Sequence, residues 1–183
     1  MAATEGYAPN LKLARARLGP LGVEVLESQG DRAEILPFAD ASFDLLLNRH
    51  SGYNLADVIR VLSPGGVYLT QQVDGRDLQG LITFFDAQPK WPDETLARNE
   101  ADMRAVGLLL EIAREWSGRT EFKSVGALVY FLRAIPWLVD DFSVERHWSY
   151  LLRLQERLER GEPLAFTQRR YLIRARKPDA PLS

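Results

Sequence analysis

In the first part of the chain, apolar residues alternate between helical spacing and short continuous runs. Helical spacing favours helices, whereas runs too short for a helix favour strands that are buried on both faces. The pattern predicts helices over Pro9–Leu18 and Leu55–Leu62, and strands over Val23–Ser28, Phe43–Leu47 and Val67–Val73. Strands that alternate with helices at this spacing predict crossover connections and a mainly parallel sheet.

The pattern changes in the second half of the chain. An apolar stripe at Met103, Val106, Leu110 and Ala113 predicts one long helix over Asp93–Trp116, which we expect to cross the rim of the sheet. The remaining segments predict a strand over Glu121–Val125, a buried helix over Ala127–Ile135, an amphipathic helix over Ser143–Arg160 with Ser143 as its N-cap, and a final strand over Leu164–Lys177. We expect an antiparallel pairing at this end of the chain.

Composition agrees with one folded α/β domain. The chain has 183 residues, of which 46% are hydrophobic and 26% are charged, so it can bury one substantial core. We assign residues 1–177 to a single domain, with a helical lid at about residues 86–117, and expect residues 178–183 to fray.

Charge and cysteine content exclude several classes of function. The formal net charge of −2 provides no overall basic field, which argues against a protein that holds nucleic acid mainly through its phosphates. The chain has no cysteine, so disulfides, thiolate metal sites and cysteine nucleophiles are excluded. The first residues lack the pattern of a signal peptide, and charge or proline interrupts every apolar run. We therefore expect a soluble, cytoplasmic protein without a membrane partner.

Two motifs of the first half occur in an informative order. The first runs from Gly30-Asp31 to Leu36-Pro37-Phe38-Ala39-Asp40-Ala41-Ser42-Phe43-Asp44, and the second is Arg60-Val61-Leu62-Ser63-Pro64-Gly65-Gly66. Together they resemble the core signature of the class I S-adenosylmethionine-dependent methyltransferases. The resemblance covers about the first 75 residues and implies a Rossmann-like sheet, closed by a C-terminal antiparallel strand pair, with S-adenosylmethionine as cofactor.

The resemblance also implies which residues bind the cofactor. Glu5, followed by Gly6, resembles the acid at the end of the family's second strand, where a carboxylate takes both ribose hydroxyls. Asp31 resembles the acid that meets the adenine amino group, and Arg32 would contribute its backbone amide. The alternative reading is a solvated Glu5 near a helix start and an ordinary turn aspartate at Asp31.

Asn48-Arg49-His50 stands where the resemblance places the motif nearest to the transferred methyl group. His50 could accept a proton from the substrate, since an unperturbed imidazole titrates near neutral pH. A capping or packing role for this histidine is the alternative. Asn48 would also contact the cofactor. Tyr53 and Gln71-Gln72 could orient substrate, although packing explains them as well.

The chain departs from the family pattern at its start. The family's first strand and its glycine-rich turn should precede Glu5 by about twenty residues, but only four residues do so here. This suggests a truncated chain that lacks the first strand and helix. Loss of a central strand would expose hydrogen-bonding edges, so we expect a second copy of the chain, in a homo-oligomer, or re-paired strands to cover them.

Three functions are therefore considered. The first is methyl transfer to a small-molecule or nucleobase acceptor, with Trp91, Trp116, Tyr130 and Trp137 available to shape an apolar pocket or to serve only as core. The second is a methyltransferase-like interaction or oligomerisation module that binds no cofactor. The third is RNA as substrate, suggested by the arginines between Arg169 and Arg176, which otherwise form a solvated strand face. We predict no metal site.

Overall fold

A computed structural model describes residues 1–28, 30 and 35–179. Its helices are α1 (Ala8–Leu18), α2 (Leu55–Val61), α3 (Gln79–Phe84), α4 (Leu96–Ala105), α5 (Val125–Ala134) and α6 (Trp148–Glu159). Its strands are β1 (Ala2–Glu5), β2 (Glu24–Glu27), β3 (Phe43–Arg49), β4 (Leu62–Val73), β5 (Leu109–Phe122) and β6 (Leu164–Arg176). The class of fold is α/β, as the sequence pattern predicts.

The chain forms two compact units. Unit 1 comprises Met1–Gln72, Asn99–Ala113 and the chain from Leu172 onwards. Unit 2 comprises Val73–Arg98 and Arg114–Tyr171. Each unit has buried apolar side chains of its own: Val58, Val61, Leu62, Tyr68, Met103 and Ile173 in unit 1, and Leu81, Leu128, Leu132, Leu154 and Leu164 in unit 2. The assignment of residues 1–177 to one domain stays a prediction.

The described strands form two sheets. β1 and β2 make a parallel pair in which Ala2 lies opposite Glu24 and Glu5 lies opposite Glu27. The second sheet has the order β3-β4-β6-β5, with β3 parallel to β4. β6 runs antiparallel to β4, because the Lys177 carbonyl accepts from the Gly65 amide and the Arg169 carbonyl accepts from the Asp74 amide.

The parallel pairs and the late antiparallel strands confirm part of the predicted sheet. The expectation of one mainly parallel sheet is wrong, because the four-stranded sheet is mixed and β1 and β2 form a sheet of their own. Among the described strands, β1 pairs only with β2, and β3 pairs only with β4. Re-pairing of these strands, the second way in which we expected the edges to be covered, is therefore not observed.

The long helix predicted over Asp93–Trp116 is wrong beyond residue 105. α4 ends at Ala105, Gly107 adopts a left-handed φ of 85°, and β5 begins at Leu109. Glycine reaches this conformation without the steric cost that other residues carry, so it ends the helix at little expense. β5 continues to Phe122, which also replaces the separate strand predicted over Glu121–Val125.

The two late helices are confirmed, with changed beginnings. α5 starts at Val125, where the Ser124 hydroxyl accepts from the Ala127 amide. α6 starts at Trp148 and not at Ser143. The Ser143 hydroxyl accepts from the Arg146 amide as a cap would, but it does so in a turn that precedes the helix and not at the start of α6.

Candidate active site

The segment that carries the family resemblance is held together by Arg60. Its guanidinium donates to the Asp57 carboxylate at 2.6 Å and to the carbonyls of Leu36 and Phe38 at 3.0 and 2.6 Å. Asp57 is buried, and its other carboxylate oxygen accepts from the Leu36 amide at 2.6 Å. Hydrogen bonds from Arg60 to Asp57, and then to Asp40, raise the pKa of the guanidinium. The motif thus fixes the loop that leads into β3.

The second part of the motif brings the start of β4 close to its neighbours. Gly65 has a left-handed φ of 71°, and a Cβ at Gly66 would lie 2.8 Å from the Ser63 carbonyl oxygen. Glycine is therefore required at both positions. Lys177, just after β6, donates to the carbonyls of Ile59 and Leu62 at 2.7 and 2.6 Å and so caps the end of α2.

Unit 1 contains a cleft with a volume of about 1050 Å³. It lies along β1 and β3, and we call it the β1–β3 cleft. Its lining residues are 1–7, 28, 30, 36, 38, 43, 45–54 and 58. The volume is at the upper end of the range typical for ligand pockets. The polar residues at the carboxyl ends of both strands are part of this lining, so the cleft is the candidate functional site.

Glu5 is the last residue of β1 and is partly buried in the cleft wall. Its Oε1 atom accepts from the Tyr7 amide at 2.8 Å. This short-range bond orients the carboxylate at the strand end and leaves the second oxygen available to a ligand hydroxyl. Gly6 also lines the cleft. Glu5 and Gly6 as cofactor ligands stay predictions.

Asn48 lies near the end of β3 and is tied to the neighbouring strand. Its Oδ1 atom accepts from Gln72 Nε2 at 2.8 Å. The same Gln72 nitrogen lies 3.1 Å from the Ser51 carbonyl and 2.8 Å from Thr70 Oγ1. Gln72 and Thr70 are both buried. This network holds the turn after β3 in place, so Asn48 helps to shape the site whether or not it touches a ligand.

Arg49 and His50 complete the motif and are both exposed at the cleft. Arg49 Nε donates to Gln71 Oε1 at 3.0 Å. His50 has a left-handed φ of 56°, and its backbone amide donates to the Gln71 carbonyl at 3.0 Å. A non-glycine residue in this conformation carries backbone strain, which is common at functional sites. The catalytic roles of Asn48, Arg49 and His50 stay predictions.

Tyr53 lines the cleft and is anchored within unit 1. Its hydroxyl donates to Asn99 Oδ1, and its ring packs edge-on against Tyr68 at a centroid distance of 5.6 Å. Asn99 is buried in α4. These contacts support the packing reading for Tyr53 and position its ring at the wall of the cleft.

The structure adds one cleft residue that the sequence does not reveal. Ser28, just after β2, is buried in the lining, and its Oγ atom has no hydrogen-bond partner among the described residues. A buried hydroxyl without a partner is costly unless water or a ligand satisfies it. No sequence signal marks this serine. The predicted ligands Asp31 and Arg32 lie outside the described residues.

The aromatic residues considered for a substrate pocket all belong to unit 2. Trp91, Trp116, Tyr130 and Trp137 are between 46% and 79% exposed. They are therefore not core residues of their unit. Their role in substrate binding stays a prediction.

The arginines of β6 are largely engaged by carboxylates. Arg170 forms an ion pair with Asp77 at 2.6 Å. Glu111 forms ion pairs with Arg174 at 2.9 Å and with Arg176 at 2.5 Å. Paired guanidinium groups offer less positive charge to a phosphate backbone than free ones. These contacts favour the strand-face reading of the arginines over RNA binding.

Unit 2 contains a separate charged cluster. The Asp74 carboxylate accepts from Arg76 Nε and Nη2, both at 2.7 Å, and Arg76 also pairs with Glu115 at 2.9 Å. Burial raises the pKa of Asp74, but the hydrogen bonds from Arg76 outweigh it and hold that pKa below its usual range. This closed cluster has the character of a structural ion-pair network.

Two further properties bear on function. Within residues 1–28, 30 and 35–179, no group of three or more histidine, aspartate or glutamate side chains is arranged to hold a metal ion. None of the helices in the same residues has the length and apolarity needed to cross a membrane.

Comparison with known proteins identifies the fold. No protein family model and no curated protein sequence matches the chain. Solved structures do match along nearly its whole length. The chain thus shares the fold of class I S-adenosylmethionine-dependent methyltransferases.

The particular relatives are distant in sequence. A candidate methyltransferase from Bacillus halodurans C-125 is 17% identical with a TM-score of 0.63, and the match covers 97% of this chain and 82% of that one. Geranyl diphosphate methyltransferase, solved in complex with SAM, is 15% identical with a TM-score of 0.50 over 96% and 68% of the two chains. The [4+2]-cyclase SpnF is also 15% identical, with a TM-score of 0.55 over 98% and 67%. At these identities the similarity shows the fold alone.

Proposed function

We propose that the chain is an S-adenosylmethionine-dependent methyltransferase whose site is the β1–β3 cleft. The observation that carries the proposal is that Glu5, Asn48, Arg49 and His50 line one cleft of about 1050 Å³ at the carboxyl ends of parallel strands. In open α/β sheets, ligands bind beyond these strand ends. The methyl acceptor would be a small molecule or a nucleobase, and the protein would act in the cytoplasm.

The residues present fit the nucleoside part of such a cofactor. Glu5 has a carboxylate oxygen that is not used by the Tyr7 amide, and the buried Ser28 hydroxyl offers a further polar group in the same cleft. A bound S-adenosylmethionine would supply an electrophilic methyl group on a positively charged sulfonium. Glu5 would orient the ribose, Asn48 would keep the turn after β3 in place, and a ring nitrogen of His50 would accept a proton from the substrate.

Calorimetry with S-adenosylmethionine tests cofactor binding. We expect heat of binding at micromolar concentrations and about 10-fold to 100-fold weaker binding for Glu5→Gln, because a hydrogen bond to a charged group contributes about 1.5–3 kcal/mol. Glu24→Gln is the matched control, since Glu24 is an exposed glutamate of β2 outside the cleft. Absence of binding by the unaltered chain at millimolar cofactor would contradict the proposal.

A second measurement tests His50. We expect transfer of a labelled methyl group to extracted small molecules to fall at least about 100-fold in His50→Ala, while cofactor affinity changes little. An equal loss of affinity and transfer would assign His50 to binding instead.

The second candidate function is an interaction module that binds no cofactor. It is favoured by the bonds that already engage Glu5 and Asn48 within the chain, from Tyr7 and Gln72. The fold does not by itself decide between a methyltransferase and an interaction module, since proteins of other functions, such as a [4+2]-cyclase, share it. Lack of cofactor binding together with binding of a polypeptide would support this second function.

A further inference from the structure

β1 and β3 each have a strand neighbour on one side only, and both line the β1–β3 cleft. β1 pairs with β2, and β3 is the edge strand of the four-stranded sheet. Residues 2–5 of β1 and residues 43 and 45–49 of β3 belong to the cleft lining. Two open strand edges thus border the same space.

Hydrogen bonds show which backbone groups of β1 point away from β2. The Met1 carbonyl accepts from the Glu24 amide at 3.1 Å, and the Glu5 carbonyl accepts from the Ser28 amide at 3.3 Å. Backbone groups of successive strand residues point to opposite sides. The odd-numbered residues of β1 therefore face β2, while the N–H and C=O groups of Ala2 and Thr4 face away from it.

The same alternation orients β3. The His50 amide donates to the Gln71 carbonyl at 3.0 Å, and the register with β4 is regular from Leu45 to Arg49. Even-numbered residues of this stretch therefore face β4. The backbone groups of Leu45 and Leu47 point away from β4, so this edge also offers unused donors and acceptors.

The two edges run in the same direction. Gly30, which follows β2, packs so closely against Ser51 and Gly52, which follow β3, that a side chain at residue 30 would overlap Ser51. The carboxyl ends of β2 and β3 therefore lie together. β1 is parallel to β2, and β1 and β3 flank the same cleft along their lengths, so the shared position of the carboxyl ends means that β1 and β3 run the same way. A strand inserted between β1 and β3 can be parallel to both.

The β3 edge is also apolar. Leu45 and Leu47 are 54% and 66% exposed, although a run of three leucines is typical of a strand buried on both faces. An exposed apolar edge invites pairing with another chain. The edge therefore favours an uncharged segment with aliphatic side chains.

We propose that the β1–β3 cleft accepts one extended, aliphatic segment of a partner polypeptide as a parallel strand between β1 and β3. Filling this position requires a strand with both edges unpaired. Every described strand of this chain is already paired on at least one edge, so a second copy could fill the cleft only by opening one of its own sheets. The matching length is that of the two edges, four residues in β1 and seven in β3. This inference does not depend on methyltransferase activity, because the strand would lie along the two edges, whereas the proposed cofactor site is at their carboxyl ends, at Glu5 and residues 48–50.

Amide hydrogen exchange of the full chain tests the proposal directly. The probe is a capped peptide of about six alternating valine and threonine residues, a typical strand length. We expect it to slow exchange at Thr4, Leu45 and Leu47 at least about tenfold. Ala3 and Leu46 are internal controls, because their amides already face β2 and β4. The matched control peptide carries an N-methyl group on every backbone nitrogen, so it has no donor for either edge and should have no effect.

A variant provides an independent readout. Thr4→Pro removes a backbone N–H that faces the cleft, whereas the bonds between β1 and β2 keep all their donors. We expect its circular dichroism and melting temperature to match the unaltered chain and its affinity for the peptide to fall at least about tenfold. Unchanged peptide affinity, no protection at saturating peptide, or equal protection by the N-methylated peptide would overturn the proposal. Protection that rises with protein concentration alone would identify a second copy as the occupant instead.

Discussion

The buried polar and apolar groups of the unit 2 interior have partners within the unit, whereas several groups along the β1–β3 cleft of unit 1 do not. In unit 2, Asp74, Arg76 and Glu115 form a closed ion-pair cluster, and Leu128 is fully buried. In unit 1, β3 leaves Leu45 and Leu47 exposed. Similar residue types therefore contribute differently to stability, according to whether a neighbouring element covers them. The open edge is where we expect a partner or ligand to add its contribution.

The largest expected effect is in the unit 2 core. Leu128→Ala should lower the free energy of unfolding by about 2–5 kcal/mol, because Leu128 is fully buried and its removal leaves a cavity. Leu152→Ala is the control, since Leu152 is 45% exposed on α6 and should change stability by no more than about 0.5 kcal/mol. Urea unfolding followed by circular dichroism measures both. Equal effects would show that the unit 2 interior is not packed as described.

The next effect concerns Asp74 and depends on pH. Because its pKa is held below its usual range in the folded chain, the stability it contributes is present above the unfolded pKa of about 3.9 and is lost as pH falls through the lower folded pKa. Asp74→Asn should therefore cost about 1–2 kcal/mol at pH 7, a figure reduced for the half-exposed Arg76. The difference from the unaltered chain should narrow as the pH falls below about 4.

Chemical unfolding at several pH values measures this effect. Asp93→Asn is the matched control, because Asp93 is exposed and should change stability little at any pH. A deficit in Asp74→Asn that stays constant between pH 7 and pH 3 would contradict the assigned role of the carboxylate charge.

A smaller effect is expected at Lys177, whose ammonium group is hydrogen-bonded within unit 1. Lys177 donates to the carbonyls of Ile59 and Leu62, so Lys177→Met keeps the aliphatic stem but removes the cap of α2. We expect a loss of about 1 kcal/mol in thermal unfolding. Lys12→Met, at an exposed position of α1, should have almost no effect. If the two substitutions were equivalent, the Lys177 contacts would not contribute to stability.

The sequence predicts best where structure is decided locally. The beginning and end of α1, the run that forms β3 and the part of β4 from Val67 onwards follow from apolar spacing, proline and glycine. β4 already begins at Leu62, so the break predicted at Ser63-Pro64-Gly65-Gly66 is wrong. The stripe containing Leu110 and Ala113 has helical spacing, yet this segment lies in β5, where Glu111 pairs with Arg174 and Arg176 of β6. A partner more than 60 residues away decides that outcome, and periodicity cannot detect it.

For the candidate site too, the sequence predicts the local features but not the contacts between distant residues. Its position at the ends of β1 and β3 follows from the order of strands and motifs, so Glu5 and Asn48 could be placed from the sequence. The hydrogen bond from Gln72 to Asn48 joins residues 24 positions apart, and Ser28 becomes a cleft residue only through burial. Neither the hydrogen bond nor the burial of Ser28 leaves a local pattern in the sequence, because both depend on how the strands associate.

The smallest expected effect is at the exposed edge, and it should depend on the partner. Leu47→Ala should change the free energy of unfolding by no more than about 0.5 kcal/mol, because a side chain that is 66% exposed loses little contact when shortened. Once the valine-threonine peptide covers the edge, the same substitution removes buried apolar surface and should weaken peptide binding about fivefold to tenfold. Asp44→Ala, also exposed on β3, is the control at a residue outside the cleft lining. A large cost of Leu47→Ala in the absence of peptide would mean that the edge is already covered in solution, and the contrast between the two units would then not hold.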